Sequence, residues 1–184
     1  MKGRVPVRDK MPGGAKTNAN GLTFEAKVNL EQFDGVWFDQ YEVSSATQYQ
    51  FLSLPPSIKQ DYDPEWNDRK ADTGIMITNM RNGMRSFLII EQKYQSVDGS
   101  VDTKLLAGYS FRKIWKRTLD TTENNLREVR YAFVVNKWIW DNCVMRKKDI
   151  RTELEDENIP LFSTDETDVV MEIHNIILDM FDSL

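Results

Sequence analysis

Asp72, Glu91 and Lys93 have the types and spacing to hold a hard cation and a water. They lie on two apolar runs, Ala71 to Met80 and Met84 to Lys93, joined through Asn82-Gly83. Asn-Gly between two such runs is a strong hairpin signal, because a type I′ turn needs φ > 0 at both central residues. A two-residue loop flanked by Arg81 and Met84 sets Asp72 opposite Lys93 and Gly74 opposite Glu91. Side chains alternate along a strand, so Glu91 and Lys93 share a face and Asp72 joins them from the partner strand. Two carboxylates and an ammonium then converge at one end of an apolar hairpin. Such a set can bind a divalent cation through oxygen and position a water beside it. Gly74, without a side chain, leaves room there. Charges at strand ends are often only solvated, so the residues on either side of the trio carry the discrimination.

Those residues are Glu91-Gln-Lys93-Tyr-Gln95-Ser-Val-Asp-Gly99-Ser100-Val-Asp102-Thr-Lys104-Leu105 and, upstream, Gly13-Gly14-Ala-Lys16-Thr-Asn18-Ala-Asn-Gly21-Leu22-Thr-Phe24-Glu25. With Asp72 they resemble the PD-(D/E)XK nuclease superfamily, in the branch that includes type II restriction endonucleases. The resemblance covers Gly13 to about Leu106. It implies an α/β (α+β) core with a central mixed β-sheet flanked by helices. It also implies hydrolysis of double-stranded DNA with Mg2+, for which Mn2+ substitutes, leaving 5′-phosphate and 3′-hydroxyl ends. Asp72 and Glu91, with the Gln92 carbonyl, would hold the metal. Lys93 would orient the attacking water and offset charge on the scissile phosphate. Glu25, on an early helix, would supplement the site, and Gln95 and Lys104 would support it through water or phosphate. A divalent cation lowers the pKa of water enough for attack on phosphorus near neutral pH without a histidine base. Two positions depart from the family pattern: Ala71 stands in place of the signature Pro, and Thr103 stands where relatives often carry Glu. A nicking enzyme, a nuclease reading junctions or flaps, or a non-catalytic DNA-binding module would share these residues. A plain protein-interaction domain would bind neither DNA nor metal.

The elements that must position the trio follow from pattern. Residues 1–20 read as an irregular arm, and 21–184 as one domain. Gly21 to Phe33 reads as a helix by its i,i+4 apolar pairs, with an alternating strand as the other reading, Gly35 to Ser45 as a first strand, and Gln48 to Leu54 as a short second one. Pro55-Pro56 breaks what precedes it, and Ser57 to Lys70 reads as a polar loop whose acids are solvated. Both faces of the hairpin are apolar, with Met76, Met80, Phe87 and Ile89 on the side of the trio and Ile75, Ile77, Leu88 and Ile90 on the other. A sheet buried on both faces needs helices on both. Val101 to Leu119 reads as a helix interrupted at Gly108, Val129 to Val135 as a central strand, and Ile159 to Phe162 as an edge strand. Ser163-x-x-Glu166 reads as a capping box opening a last helix with an apolar stripe from Val169 to Leu184.

The chain of 184 residues has a net charge of -5, which disfavours nucleic acid at first sight. The distribution argues otherwise: residues 81–151 carry 15 basic and 8 acidic side chains, residues 152–184 none and 10. A basic middle and an acidic tail suit a DNA-facing surface with a separate back face. Arg112, Lys113, Lys116 and Arg117, around Trp115, are the expected phosphate contacts beside Lys104. The Arg146-Lys147-Lys148 cluster is not assigned to a groove. With one cysteine, Cys143, and one histidine, His174, there is neither an internal disulfide nor a Cys/His zinc set. No organic cofactor is expected. No apolar run reaches the roughly 18 residues of a membrane span, and Met1 to Lys16 has no signal-peptide core, so a cytoplasmic protein is expected. One site cuts one strand, so a homodimer is expected on a duplex, joined through the Val169–Leu184 stripe or through Trp138 and Trp140.

Overall fold

The β-branched and aromatic runs become six strands of one sheet, ordered in space as they occur along the chain. The computed structural model describes residue 24 and residues 30–47, 71–97, 99–120 and 125–183. The strands are β1 Val36–Phe38, β2 Tyr41–Thr47, β3 Thr73–Asn79, β4 Arg85–Lys93, β5 Leu126–Val135 and β6 Leu161–Ser163. Antiparallel pairing runs from β1 to β4, and β4, β5 and β6 are parallel. Parallel neighbours require a crossover, and both crossovers here are helical. The first is α1 (Val101–Leu106) and α2 (Gly108–Leu119). The second is α3 (Lys137–Ile139), a π-helical turn at Trp140–Val144, and α4 (Lys148–Asp156). Helix α5 (Val169–Ser183) follows β6.

Alternation along β4 and β5 separates two cores. Phe87, Ile89, Tyr131, Phe133 and Val135 pack beneath α1 to α4, through Leu105, Leu119, Ile139, Ile150 and Leu154 among others. Ile75, Ile77, Leu88, Ile90, Ala132 and Val134 pack beneath α5, through Val169, Ile173, Ile177 and Met180, with Phe24, Leu30 and Phe33 completing that layer. Each fully buried aliphatic side chain is worth ~1.5–3 kcal/mol, so both layers contribute to holding the hairpin. The expected α+β class, with a central mixed sheet flanked by helices, is the one observed.

Several local expectations are corrected. Gly35 to Ser45 is a tight hairpin, not one strand: Asp39 takes a positive φ of 52° and the chain reverses between β1 and β2. The interruption between α1 and α2 falls at Ala107, one residue before Gly108. Ser163 does not cap α5. Its carbonyl accepts from Glu166 and Thr167 in a turn, and Asp168 caps the helix instead, its Oδ1 accepting from the Met171 N–H at 3.2 Å. Asp is as good an N-cap as Ser, and it stands directly before Val169. The apolar stripe of α5 packs on its own sheet through Val169, Ile173, Ile177 and Met180, with Val170, Ile176 and Phe181 partly buried. Trp138 and Trp140 likewise pack against the core under α1 to α4. Met80, expected on the trio's face, is exposed in the β3–β4 loop. The proposed strand at Gln48–Leu54, the loop acids between 57 and 70 and most of the 21–33 helix lie outside the described residues, as does the arm.

Candidate active site

The hairpin that carries the trio closes differently from the two-residue reading. Asn79 N–H donates to Met84 O at 2.9 Å and Gly83 N–H to Asn79 O at 2.8 Å, so four residues form the loop. Asn79 Oδ1 accepts from Arg81 N–H at 3.0 Å, an Asx-type bond that starts the turn. Within the loop only Gly83 has a positive φ, 71°, whereas a type I′ turn would require it at Asn82 too. Thr73 therefore pairs with Ile90 and Gly74 with Ile89, two residues away from the expected register. A two-residue shift keeps every side chain on its face, so the trio survives the error. Its geometry changes nonetheless: continuing the register sets Asp72 across from Glu91, with Lys93 diagonal to Asp72 and two residues beyond Glu91 on the same strand. Gly74 is buried between Ala46 and Ile89, away from Glu91.

Lys93 Nζ lies 3.1 Å from Asp72 Oδ2 and 2.5 Å from Glu91 Oε2. The Gln92 N–H, freed by the end of the β3–β4 ladder, donates to the same Asp72 Oδ2 at 2.7 Å. All three side chains are shielded, with relative exposures of 12% for Asp72, 16% for Glu91 and 22% for Lys93. Shielding strengthens every charge interaction among them. Burial, with the Asp72 charge adding to it against the pull of Lys93, pushes the Glu91 carboxyl up to about 7. Burial alone would lower Lys93, but the two carboxylates outweigh it and hold the ammonium above its ordinary value. The ammonium thus fills the position between two carboxylates where a divalent cation would find two hard oxygen ligands. Mg2+ is typically bound by one or two carboxylates plus waters and phosphate oxygens, so the donor set fits it. Among the described residues no group of three acidic, His or Cys side chains forms a denser metal site.

Sequence reasoning missed Tyr131. It lies on β5 opposite Ile89, on the face of Glu91, buried beside the trio. Burial, then the charges of Glu91 and Asp72, push its phenol far up, so it remains a donor. Only its position one strand over in a parallel pair reveals it, and that pairing is not written in local pattern.

The other expected residues separate. Glu25 lies outside the described residues. Gln95 turns away from the trio: its Nε2 donates to Val97 O at 2.5 Å, and its backbone is clamped by Asn136, which accepts from Gln95 N–H at 3.2 Å and donates to Gln95 O at 2.9 Å. Lys104 is exposed in the last turn of α1. Arg112 is engaged at the C-cap of α4, donating to Glu157 O at 2.5 Å and Glu157 Oε2 at 3.1 Å. Lys113 lies over the Tyr109 ring at 3.9 Å. A Cβ on Gly108 would meet Phe133, the β5 partner of Glu91, and Phe111 stacks on Tyr131, so α2 starts beside the trio and runs away from it. Lys116 and Arg117, in its last turn, therefore sit toward the opposite end of the sheet, where β5 begins beside Arg85. At the trio's end, Lys147 Nζ meets Asp102 Oδ2 at 2.7 Å and holds the Arg146-Lys147 turn before α4 against the first turn of α1. The acidic tail is not a separate back face: Glu155, Glu157, Glu166 and Asp179 pair with Arg151, Arg112, Lys137 and Arg130 of the basic middle.

No helix among the described residues is long and apolar enough to cross a membrane. No protein-family model matches the chain, and no curated protein does. Among solved structures, that of MunI restriction endonuclease in complex with cognate DNA is similar at 15% identity and a TM-score of 0.34, over 83% of this chain and 88% of that one. A likeness so slight bears no weight, and the reading of the site stands on its own residues and their geometry.

Proposed function

We propose that the protein is a Mg2+-dependent endonuclease hydrolysing phosphodiester bonds of double-stranded DNA, on a restriction-endonuclease-like core. The observation that carries this is the convergence of Asp72 and Glu91 on Lys93 at the end of β4. The resemblance of Asp72…Glu91-Gln-Lys93 to the PD-(D/E)XK pattern supports the same reading. Asp72 and Glu91 would hold the cation. In a strand the N–H and C=O of one residue point to the same neighbour, so Gln92, whose N–H meets Asp72, turns its carbonyl toward the same site as a further ligand. Bound Mg2+ supplies Lewis acidity toward the phosphate and makes water a competent nucleophile near neutral pH. Lys93 would orient the attacking water and offset charge developing on the phosphate. Lys104, Arg146 and Lys148, exposed near α1 at this end of the sheet, are the cations we assign to the DNA backbone; Lys116 and Arg117 contribute less, and Arg112 none.

A monomer carries one such site and would nick a duplex, whereas a C2 dimer would cut both strands. The packing of much of the α5 stripe on its own sheet supports the nicking form as the second reading. The test is incubation of supercoiled plasmid with the protein and Mg2+, with EDTA and Lys93→Ala controls and mapping of the ends. Linear product supports a paired enzyme, open circles a nicking one. Plasmid left supercoiled across sequences and structured substrates would remove the nuclease reading.

A further inference from the structure

We propose that Asn136 is a positioning residue for Lys93, its side-chain amide holding the end of β4 in the path that brings the ammonium between Asp72 and Glu91. This rests on the reading of Lys93 as the group that orients the attacking water. The β4–β5 ladder ends at Lys93 and Val135, and one residue later the Asn136 N–H still donates to Lys93 O at 3.3 Å. There β5 stops and α3 begins at Lys137, so the ladder itself stops short of Gln95. The Asn136 side chain continues it: Oδ1 accepts from Gln95 N–H at 3.2 Å and Nδ2 donates to Gln95 O at 2.9 Å. A carboxamide offers the donor and acceptor of a peptide group, so it adds one more rung. On the opposite side the Gln92 N–H donates to Asp72 Oδ2 at 2.7 Å. Asp72 thus holds the backbone just before Lys93, and Asn136 holds it at Lys93 and beyond.

This use of Asn136 runs against its local preference. It stands at the N-cap of α3 with φ -80° and ψ 164°, where an asparagine side chain ordinarily accepts from the first N–H groups of its own helix. It makes no such bond. Asp165, from the turn after β6, accepts from the Lys137 N–H at 3.0 Å instead. The cap comes from another loop, and the Asn136 amide is left to Gln95. Lys93 is the last residue of β4, and strand ends without such ties fray. Its ammonium must stay 3.1 Å from Asp72 Oδ2 and 2.5 Å from Glu91 Oε2, and a misplacement of about 1 Å at a reacting group costs on the order of 10²-fold in rate.

The experiment compares the full chain as wild type, as Asn136→Ala, which removes the clamp on Gln95, and as Asp165→Ala, which removes the α3 cap and leaves the clamp. Single-turnover plasmid cleavage with Mg2+ and duplex affinity by anisotropy are read for each. Asn136→Ala is expected to cleave about 10²-fold more slowly at unchanged DNA affinity, and Asp165→Ala to stay close to wild type. Equal losses in the two variants, or wild-type cleavage by Asn136→Ala where Lys93→Ala is impaired, would overturn the role of Asn136 and leave the nuclease reading standing. A denaturant double-mutant cycle of Asn136→Ala with Lys93→Met reads the coupling without DNA or metal. Less than additive midpoint shifts are expected, because Lys93 loses part of its bridge once the clamp is gone, and strict additivity would sink the proposal. A non-additive cycle in a protein that leaves plasmid intact would remove the nuclease reading and keep the hold of Asn136 on Lys93. If Asn136→Ala does not fold, Asn136→Asp, which keeps the acceptor for Gln95 N–H and loses the donor to Gln95 O, replaces it with the same expectations.

Discussion

Lys93 Nζ lies 2.5 Å from Glu91 Oε2, on the same strand and face, and both side chains are largely shielded from water. The ammonium neutralises a site built to be negative, and it occupies what a divalent cation would need. Replacing it should separate binding from chemistry. Lys93→Ala is expected to lower plasmid cleavage by about 10²–10⁴-fold, the usual weight of a positioned proton-handling group, while DNA affinity stays close to wild type. Single-turnover cleavage beside a filter-binding titration reads both, and wild-type cleavage by the mutant would exclude Lys93 from the reaction.

The carboxylates should act on metal. Asp72→Asn and Glu91→Gln each remove an anionic oxygen from a hard-cation site, so each is expected to weaken Mg2+ binding by tenfold or more, on the order seen for ligand-shell losses. Asp72→Asn also perturbs the Gln92 N–H bond, and its effect should be the larger. Calorimetry showing unchanged affinity in both variants would dissolve the metal centre.

Burial pushes Glu91 from its ordinary 4.5 up to about 7, and this has a sign in stability. Between those values the folded protein keeps a proton that the unfolded chain releases. The associated stability is complete below about 4.5 and is lost as pH rises through about 7. Metal-free wild type should therefore lose a few kcal/mol more than Glu91→Gln across that window, by the usual conversion of pKa shift to free energy. Saturating Mg2+, which favours the ionised carboxylate, should flatten the difference. Denaturant melts at several pH values measure it; parallel pH profiles for the two proteins would contradict the buried position of Glu91.

Charge placement predicts two unlike sets of basic mutants. Neutralising Lys104, Arg146 and Lys148 together should reduce the slope of log affinity against log salt by about 2–3, at roughly 0.9 per phosphate contact. Neutralising Lys116 and Arg117, toward the far end of α2, should change it less. Fluorescence anisotropy with a short duplex across a salt series compares them. A larger effect from Lys116 and Arg117 would mean that DNA crosses the sheet at the end opposite Lys93.

How far the sequence reaches is clear from the hairpin itself. Alternation along β3 and β4 decides which face each side chain takes, and any register shift by two residues preserves that, so Asp72, Glu91 and Lys93 converge even from a wrong turn assignment. The turn could not be read from Asn82-Gly83 alone, because the bond from Arg81 N–H to Asn79 Oδ1 and the left-handed Gly83 lengthen it to four residues. The helix pair between β4 and β5 and the stripe on α5 were equally legible, since each rests on local periodicity, whereas α3 and α4 between β5 and β6 were not read from the sequence. What only the tertiary structure decided involves partners distant in sequence: Tyr131 beside Glu91, Arg112 spent on Glu157, Arg130 on Asp179, and the direction of α2 that carries Lys116 and Arg117 away from the trio. Local pattern sets faces and caps over one or two turns, whereas the choice of which charge meets which is made by packing two layers of helices on one sheet.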